Sequence, residues 1–239
     1  MHRIITIQNI HGKYVRTILS RLWLITIITG LAGSGCKSLN KTQKGTIIGA
    51  AGGAAVGAGV GKAAKNTVLG AIIGATVGGV TGGIIGKQMD KEAREIAQIP
   101  GAEVKRVGEG INVTFESGVL FGIDKSDISV TAQTKIKDLA NVFAKYPDSY
   151  ILIEGHTDAS GSSSHNLNLS EERAKAVGAY LQAQKISPAR IKTAWYGETQ
   201  PKVANDTEEN KSQNRRVEFA VYANEALIEK AKKETAGTE

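Results

Sequence analysis

The chain has 239 residues, of which 41% are hydrophobic, 5% aromatic and 22% charged, a balance that excludes a disordered polymer and fits one or two globular domains. The net charge of +7 looks basic, but Arg3, Lys13, Arg16 and Arg21 lie in an acid-free stretch of 35 residues, and beyond it 26 basic side chains face 23 acidic ones. So mild an excess lacks the clustered cations of a nucleic-acid footprint, and the single cysteine, Cys36, excludes an internal disulfide framework or a multi-cysteine metal site.

In chain order, a basic segment (residues 1–21) precedes an apolar run, Leu22–Ala32, and then small residues. The run is too short to span a bilayer, which takes about 20 residues, and the layout is that of a secretory signal. Because the small residues Ser34 and Gly35 lead to Cys36, the segment resembles a bacterial lipoprotein signal. That resemblance implies removal of residues 1–35 and lipidation of Cys36 with acyl chains such as palmitate, each buried methylene contributing about 0.8 kcal/mol to membrane attachment. The same residues also allow ordinary cleavage after Ser34, or an uncleaved anchor. Lys37, where inner-membrane lipoproteins of the enteric type carry aspartate, implies the outer membrane.

A polar tether, residues 36–44, leads to two copies of a glycine-rich repeat. Residues 45–62 and 70–87 align without gaps and share nine of eighteen positions. Glycines recur every fourth position, at Gly45, Gly49, Gly53, Gly57 and Gly61 and again at Gly70, Gly74, Gly78, Gly82 and Gly86. On a helix that period forms one stripe, which lets two backbones approach closely. Residues 45–88 are therefore predicted as a glycine-zipper helical hairpin turning near Ala63–Leu69, with self-association or membrane insertion as its possible uses. Each helical glycine loses about 1 kcal/mol against alanine, so such helices need a partner. A flexible Gly/Ala linker is the competing reading, but Ile47, Ile48, Ile72, Ile73, Ile84 and Ile85 are poor linker residues. Met89–Gln98 is polar and helix-prone, Pro100-Gly101 ends it, and residues 89–109 read as a linker.

The remainder alternates strand and helix patterns. Ile111–Phe115 alternates like a strand. A helix capped by Ser129 or Thr131 runs to about Lys145, with Ile136, Leu139, Ala140 and Phe143 on one face. Tyr150–Glu154 is a strand, and Leu169–Gln184 a helix capped by Ser170. Ile191–Tyr196 and Arg215–Tyr222 are strands, and residues 224–239 form a charged, fraying tail. This predicts an α/β sandwich with helices on one face of a mixed sheet over residues 110–223.

Between the middle strand and its helix lies GHTDASGSSSHNLNLSEERA, Gly155–Ala174. Its Thr157-Asp158, Leu169-Ser170, Arg173-Ala174, Val177 and Leu181 keep the spacing of the peptidoglycan-binding signature of OmpA-like C-terminal domains, which the segment resembles. Tyr196-Gly197-Glu198 with Pro201, the run Gln213–Glu218, and an upstream Phe121 with its Gly/Asp/Ser loop follow in the same order. The chain as a whole resembles OmpA-like outer-membrane lipoproteins of the YiaD type. The resemblance implies an OmpA-like βαβαβ(β) domain that binds the diaminopimelate stem of peptidoglycan noncovalently and tethers the outer membrane to the wall from the periplasmic side. Diaminopimelate offers an ammonium and a carboxylate on one carbon. By resemblance Asp158 takes the ammonium and Arg173 the carboxylate, which suits the planar guanidinium fork. Phe121, Asn166 and Leu169 line the pocket, and Arg215 supports it. Strand alternation sends only one of Arg215 and Arg216 into the site.

No catalytic residue, metal or cofactor is expected. His156, Asp158 and His165 lack convincing ligand spacing, and the serines near them lack a GxSxG elbow. A stator-like protein, which shares the domain, needs an acid within a membrane span, and none occurs between Met1 and Met89. Two further readings stand beside the tether: a wall-remodelling protein, and a zipper that perturbs membranes while wall binding positions it.

Overall fold

The computed structural model describes residues 67–237. The signal, Cys36, the tether and the first glycine repeat lie outside them. In order, the elements are α1 (Thr67–Gly74), α2 (Gly79–Ile96), β1 (Glu103–Val107), β2 (Gly110–Glu116), α3 (Ser117–Leu120) and α4 (Val130–Lys145). They continue with β3 (Ser149–His156), α5 (Ser163–Ala183), a 3-10 turn (Pro188–Arg190), β4 (Ile191–Gly197), α6 (Glu208–Asn214), β5 (Arg216–Ala223) and α7 (Glu225–Ala236). The strands form a mixed sheet ordered β1-β2-β5-β3-β4, with β3 and β4 parallel and the other pairs antiparallel.

Strand alternation divides the sheet into two unlike faces. One face presents Ile111, Val113 and Phe115 from β2, Ile151 and Ile153 from β3, and Val217, Phe219 and Val221 from β5, all buried. Helices cover it with stripes at helical spacing: Ile85, Met89 and Ile96 of α2, Ile136, Leu139 and Phe143 of α4, and Ala174, Val177 and Leu181 of α5. Gly155 permits the closest of these approaches, because a Cβ there would stand 2.1 Å from the Ser170 carbonyl oxygen of α5. The opposite face carries Asn112, Thr114, Glu154, His156, Arg216, Glu218 and Ala220, by the register of the three central strands.

The expected sandwich is present, with several differences. The stretch read as a linker, 89–109, holds the second half of α2 and an edge strand. β1 escapes sequence reading because its residues, EVKRV, are exposed or half-buried and show no apolar alternation. The second glycine repeat is not one helix: it breaks at Ala75–Gly78, and its first half, α1, lies on the opposite sheet face, where Val68 and Ile72 pack with Ala220, Leu152 and Tyr222. The main helix of the site starts at Ser163, capped by the Ser162 hydroxyl that accepts from the His165 amide, so Ser170 is not a cap. Its hydroxyl instead donates to Leu167 O and accepts from Gly197 N. The tail is helical through Ala236, capped by Asn224 and anchored by the buried Leu227 and Ala231.

Candidate functional site

The C-terminal end of β3 and the N-terminal end of β5 open onto a cavity of about 520 Å³. One wall is the turn after β3, which carries Thr157, Asp158, Ser160 and Gly161. A second is α5, whose Asn166, Leu169 and Arg173 recur at helical spacing and so share a face. The third comprises α3 and the loop after it, with Ser117, Phe121 and Asp124, and α6 closes the rim with Glu208, Ser212 and the following Arg215. All six residues singled out from the sequence, Phe121, Asp158, Asn166, Leu169, Arg173 and Arg215, therefore line one space.

Asp158 and Arg173 do not pair with each other. Asp158 Oδ2 accepts from Arg215 Nη1 at 2.6 Å, while its Oδ1 accepts from Ser160 N at 2.7 Å. Burial pushes the Asp158 carboxyl up, but these bonds outweigh it, and the group sits below the usual aspartate value. Arg215 is shared: its Nη2 donates to Glu208 Oε1 at 2.6 Å. Burial opposes its charge, and the two carboxylates more than offset that. Arg173 is only 3% exposed. Its Nε donates to Lys125 O at 2.9 Å and its guanidinium lies over the Phe121 ring, 5.3 Å from the centroid. Among the described residues no carboxylate lies within ion-pair distance of it. Burial pushes its pKa down, an effect partly opposed by Asp124. A desolvated cation without a carboxylate partner is costly, and Arg173 borders the cavity.

Supporting residues fix these groups. Asn166, buried, donates to Asp158 O at 3.2 Å and to the Glu198 carboxylate, so it braces the Asp158 backbone. Asn214, fully buried, accepts from Lys202 N and Val203 N and donates to Val203 O and Asn205 Oδ1. Asn205 in turn accepts from Ala159 N, which ties the loop before α6 to the Asp158 turn. The adjacent arginines separate as strand alternation requires: Arg215 lines the cavity, while Arg216 is buried on the other face, its Nε 2.5 Å from Glu218 Oε1. His156 also lies there, stacked on Tyr196 at 5.5 Å, whereas His165 stands at the cavity mouth, 2.7 Å from Asp124.

Sequence reading missed Asp124, His165, Glu208 and Ser212 as lining residues. Glu208 had a faint signal, since Thr207-Glu208-Glu209 is a capped first helical turn: Thr207 Oγ1 accepts from Asn210 N.

Residues 120–215 match the OmpA family, and residues 18–90 match the YMGG-like Gly-zipper family. The peptidoglycan-associated lipoprotein of Brucella melitensis is 30% identical over 130 residues, covering 54% of this chain and 77% of that protein. The chain belongs to the OmpA family. It is also similar to the probable lipoprotein YiaD of Escherichia coli, at 34% identity over 121 residues, which is 51% of this chain and 55% of YiaD. Of the porin relatives the chain spans only about a third, 36% in the case of outer membrane porin F of Pseudomonas fluorescens. Among solved structures, a MotB-like protein from Desulfovibrio vulgaris superposes with a TM-score of 0.55 at 23% identity, over 60% of this chain and 96% of that one, which establishes likeness of fold.

Proposed function

We propose that this protein is a non-catalytic, lipid-anchored envelope protein that binds the stem peptide of peptidoglycan and tethers the outer membrane to the wall. The observation that carries the reading is Arg173: a nearly buried guanidinium, braced by Lys125 O and Phe121, with no carboxylate partner among the described residues and its fork available to the cavity. A carboxylate from the ligand supplies the missing partner, bidentate to Arg173. The neighbouring ammonium of a diamino acid meets Asp158, which is held ionised by Arg215 and Ser160 N. Arg215 acts as a counter-charge already in place, and Asn166 as a brace.

The relatives named above support the wall as target, since one is called a peptidoglycan-associated lipoprotein and another a probable lipoprotein. Lipidation at Cys36 would hold the site close to a dense array of identical ligands. Each charge-assisted bond contributes roughly 1.5–3 kcal/mol before ordering is subtracted, so single-site affinity falls at about the micromolar to millimolar level, and avidity makes up the rest.

Sedimentation with purified sacculi tests this. The parent should co-sediment, and the double variant Asp158→Ala with Arg173→Ala should stay in the supernatant while unfolding at a temperature close to the parent's. Equal sedimentation of both proteins would remove this site from wall binding.

A further inference from the structure

Residues 67–86 contain no charged side chain, and the sequence places Lys65 just before them and Lys87 directly after. Twenty residues rising about 1.5 Å each match the hydrocarbon thickness of a bilayer. Yet no helix among the described residues is long and apolar enough to cross a membrane. The reason is the break between α1 and α2, where no proline occurs. The break is made by backbone geometry and one carboxylate. Gly78 and Gly79 take positive φ values of 77° and 64°. Glu109, on the β1–β2 turn, accepts from Val77 N at 2.8 Å and Gly78 N at 2.7 Å. In an unbroken helix those two amides would bond to the carbonyls of Ile73 and Gly74, so Glu109 competes directly for the donors that continuity requires. Gly82 makes room for it, since a Cβ there would lie 1.9 Å from Glu109 Oε1.

The upstream half is secured by modest contacts. Val68 and Ile72 are buried on Ala220, and the Gln200 side chain bonds Thr67 N and Oγ1 at 3.4 and 3.0 Å. Val80, at the start of α2, is 69% exposed. An apolar stretch of membrane length is thus folded back on the sheet and clamped at its midpoint by an acid belonging to the wall-binding domain.

We propose that Thr67–Gly86 is a stored membrane segment, which Glu109 holds broken against the sheet and which straightens into one helix on entering a lipid bilayer. In hydrocarbon every backbone donor must find an internal partner, so the bilayer rewards the unbroken form that Glu109 prevents. In the docked form Val68 and Ile72 meet the sheet, and Gly110 of β2 makes room for them, since a Cβ there would lie 2.5 Å from Ile72 Cγ2. In the straight form Gly70, Gly74, Gly78, Gly82 and Gly86 fall on one smooth face.

The test uses the full chain reconstituted on vesicles of phosphatidylethanolamine and phosphatidylglycerol, read by hydrogen exchange of the amides of residues 67–86. Residues 1–66 are the same in every variant, so attachment itself is not the readout. Glu109→Ala removes two charge-assisted bonds and should slow exchange at residues 75–79 on vesicles at least about tenfold relative to the parent, while speeding it in solution. Val80→Lys changes an exposed side chain of the docked form but puts a charge in the middle of the span. It should exchange on vesicles as the parent does in solution. The proposal fails if Glu109→Ala exchanges faster than the parent on vesicles as well as in solution, or if Val80→Lys and the parent are protected equally there.

Discussion

Arg215 and Arg216 are neighbours in sequence and belong to two charge clusters on opposite sides of one sheet. In the cavity, Arg215 joins Asp158 and Glu208 with about a third of its side chain open to solvent, and Arg173 stands unpaired beside them. On the other face, Arg216 meets Glu218 while Glu154, directly opposite Glu218 on β3, has no hydrogen-bond partner for either oxygen. Each cluster leaves one group without a close partner, and they resolve it differently. The cavity leaves the Arg173 guanidinium unmatched beside open space. The closed face leaves the Glu154 carboxyl unmatched and buried, so burial, reinforced by Glu218, pushes it up to about 8 and it carries its own proton near neutrality. An unmet charge reads as a binding site when it is reachable and as a titrating structural group when it is not.

The largest expected effect separates the two arginines. Arg216→Ala leaves Glu218 and Glu154 buried together without a cation, and should lower unfolding free energy by about 3–5 kcal/mol. Arg215→Ala leaves the nearly buried Asp158 its bond from Ser160 N beside the open cavity, and should cost less than Arg216→Ala, about 1.5–3 kcal/mol, while weakening sacculus binding. Urea unfolding of both variants decides the matter: equal losses would mean that the cavity cluster is as structural as the closed one.

A second, smaller effect follows from Glu154 itself. A carboxyl whose folded pKa is raised from 4.5 to about 8 favours folding while protonated, and that stability is lost as pH rises through the interval. His156, kept neutral by burial and by Arg216, acts in the opposite sense below its ordinary 6.5, where the unfolded chain gains a proton that the folded one refuses. The clear window is therefore pH 6.5–8. There Glu154 should cost roughly 2 kcal/mol in total, at about 1.4 kcal/mol per pH unit. Glu92, buried in the helix-packed core and raised to about 8 by desolvation against the pull of Arg190, should contribute a similar slope. Glu154→Gln should remove about half of the fall in stability across that window. An unchanged slope would place the titration elsewhere.

How much of this was legible beforehand depends on where each residue's constraint comes from. Asp158, Asn166, Leu169 and Arg173 were readable from the motif spacing that carries the family resemblance, and the structure adds the reason for part of it, since one helix that starts at Ser163 gives Asn166, Leu169 and Arg173 a common face. The pairing was not: the spacing of Asp158 and Arg173 says nothing about Arg215, which arrives from the junction of α6 and β5 and bonds Asp158. The closed face was hidden for a related reason. Glu154 and Glu218 look like ordinary outward strand positions, and only the cross-strand register shows them facing each other. The tail escaped because two apolar residues, Leu227 and Ala231, anchor a helix whose other positions are mostly charged. The glycine repeat misled differently. Its stripe predicts helix against helix, whereas α1 meets the sheet through Val68 and Ile72, which the glycine period does not single out.

The smallest effect belongs to the contact that looks most like a latch. His165 Nε2 lies 2.7 Å from Asp124 Oδ1, bridging the first turn of α5 to the loop opposite across the cavity mouth. Asp124 is held at a left-handed φ of 53°. Both side chains are more than half exposed, at 51% and 61%, so water screens the pair and the ordering of two side chains offsets most of its attraction. His165→Ala should therefore change stability by less than about 0.5 kcal/mol and leave sacculus binding within about threefold of the parent, which is less than 1 kcal/mol. Arg173→Ala, by contrast, removes the desolvated partner proposed for the ligand carboxylate. A loss on His165→Ala as large as that on Arg173→Ala, vanishing at high salt, would transfer the binding energy from the buried cation to the exposed rim and overturn the distinction between reachable and merely visible charge.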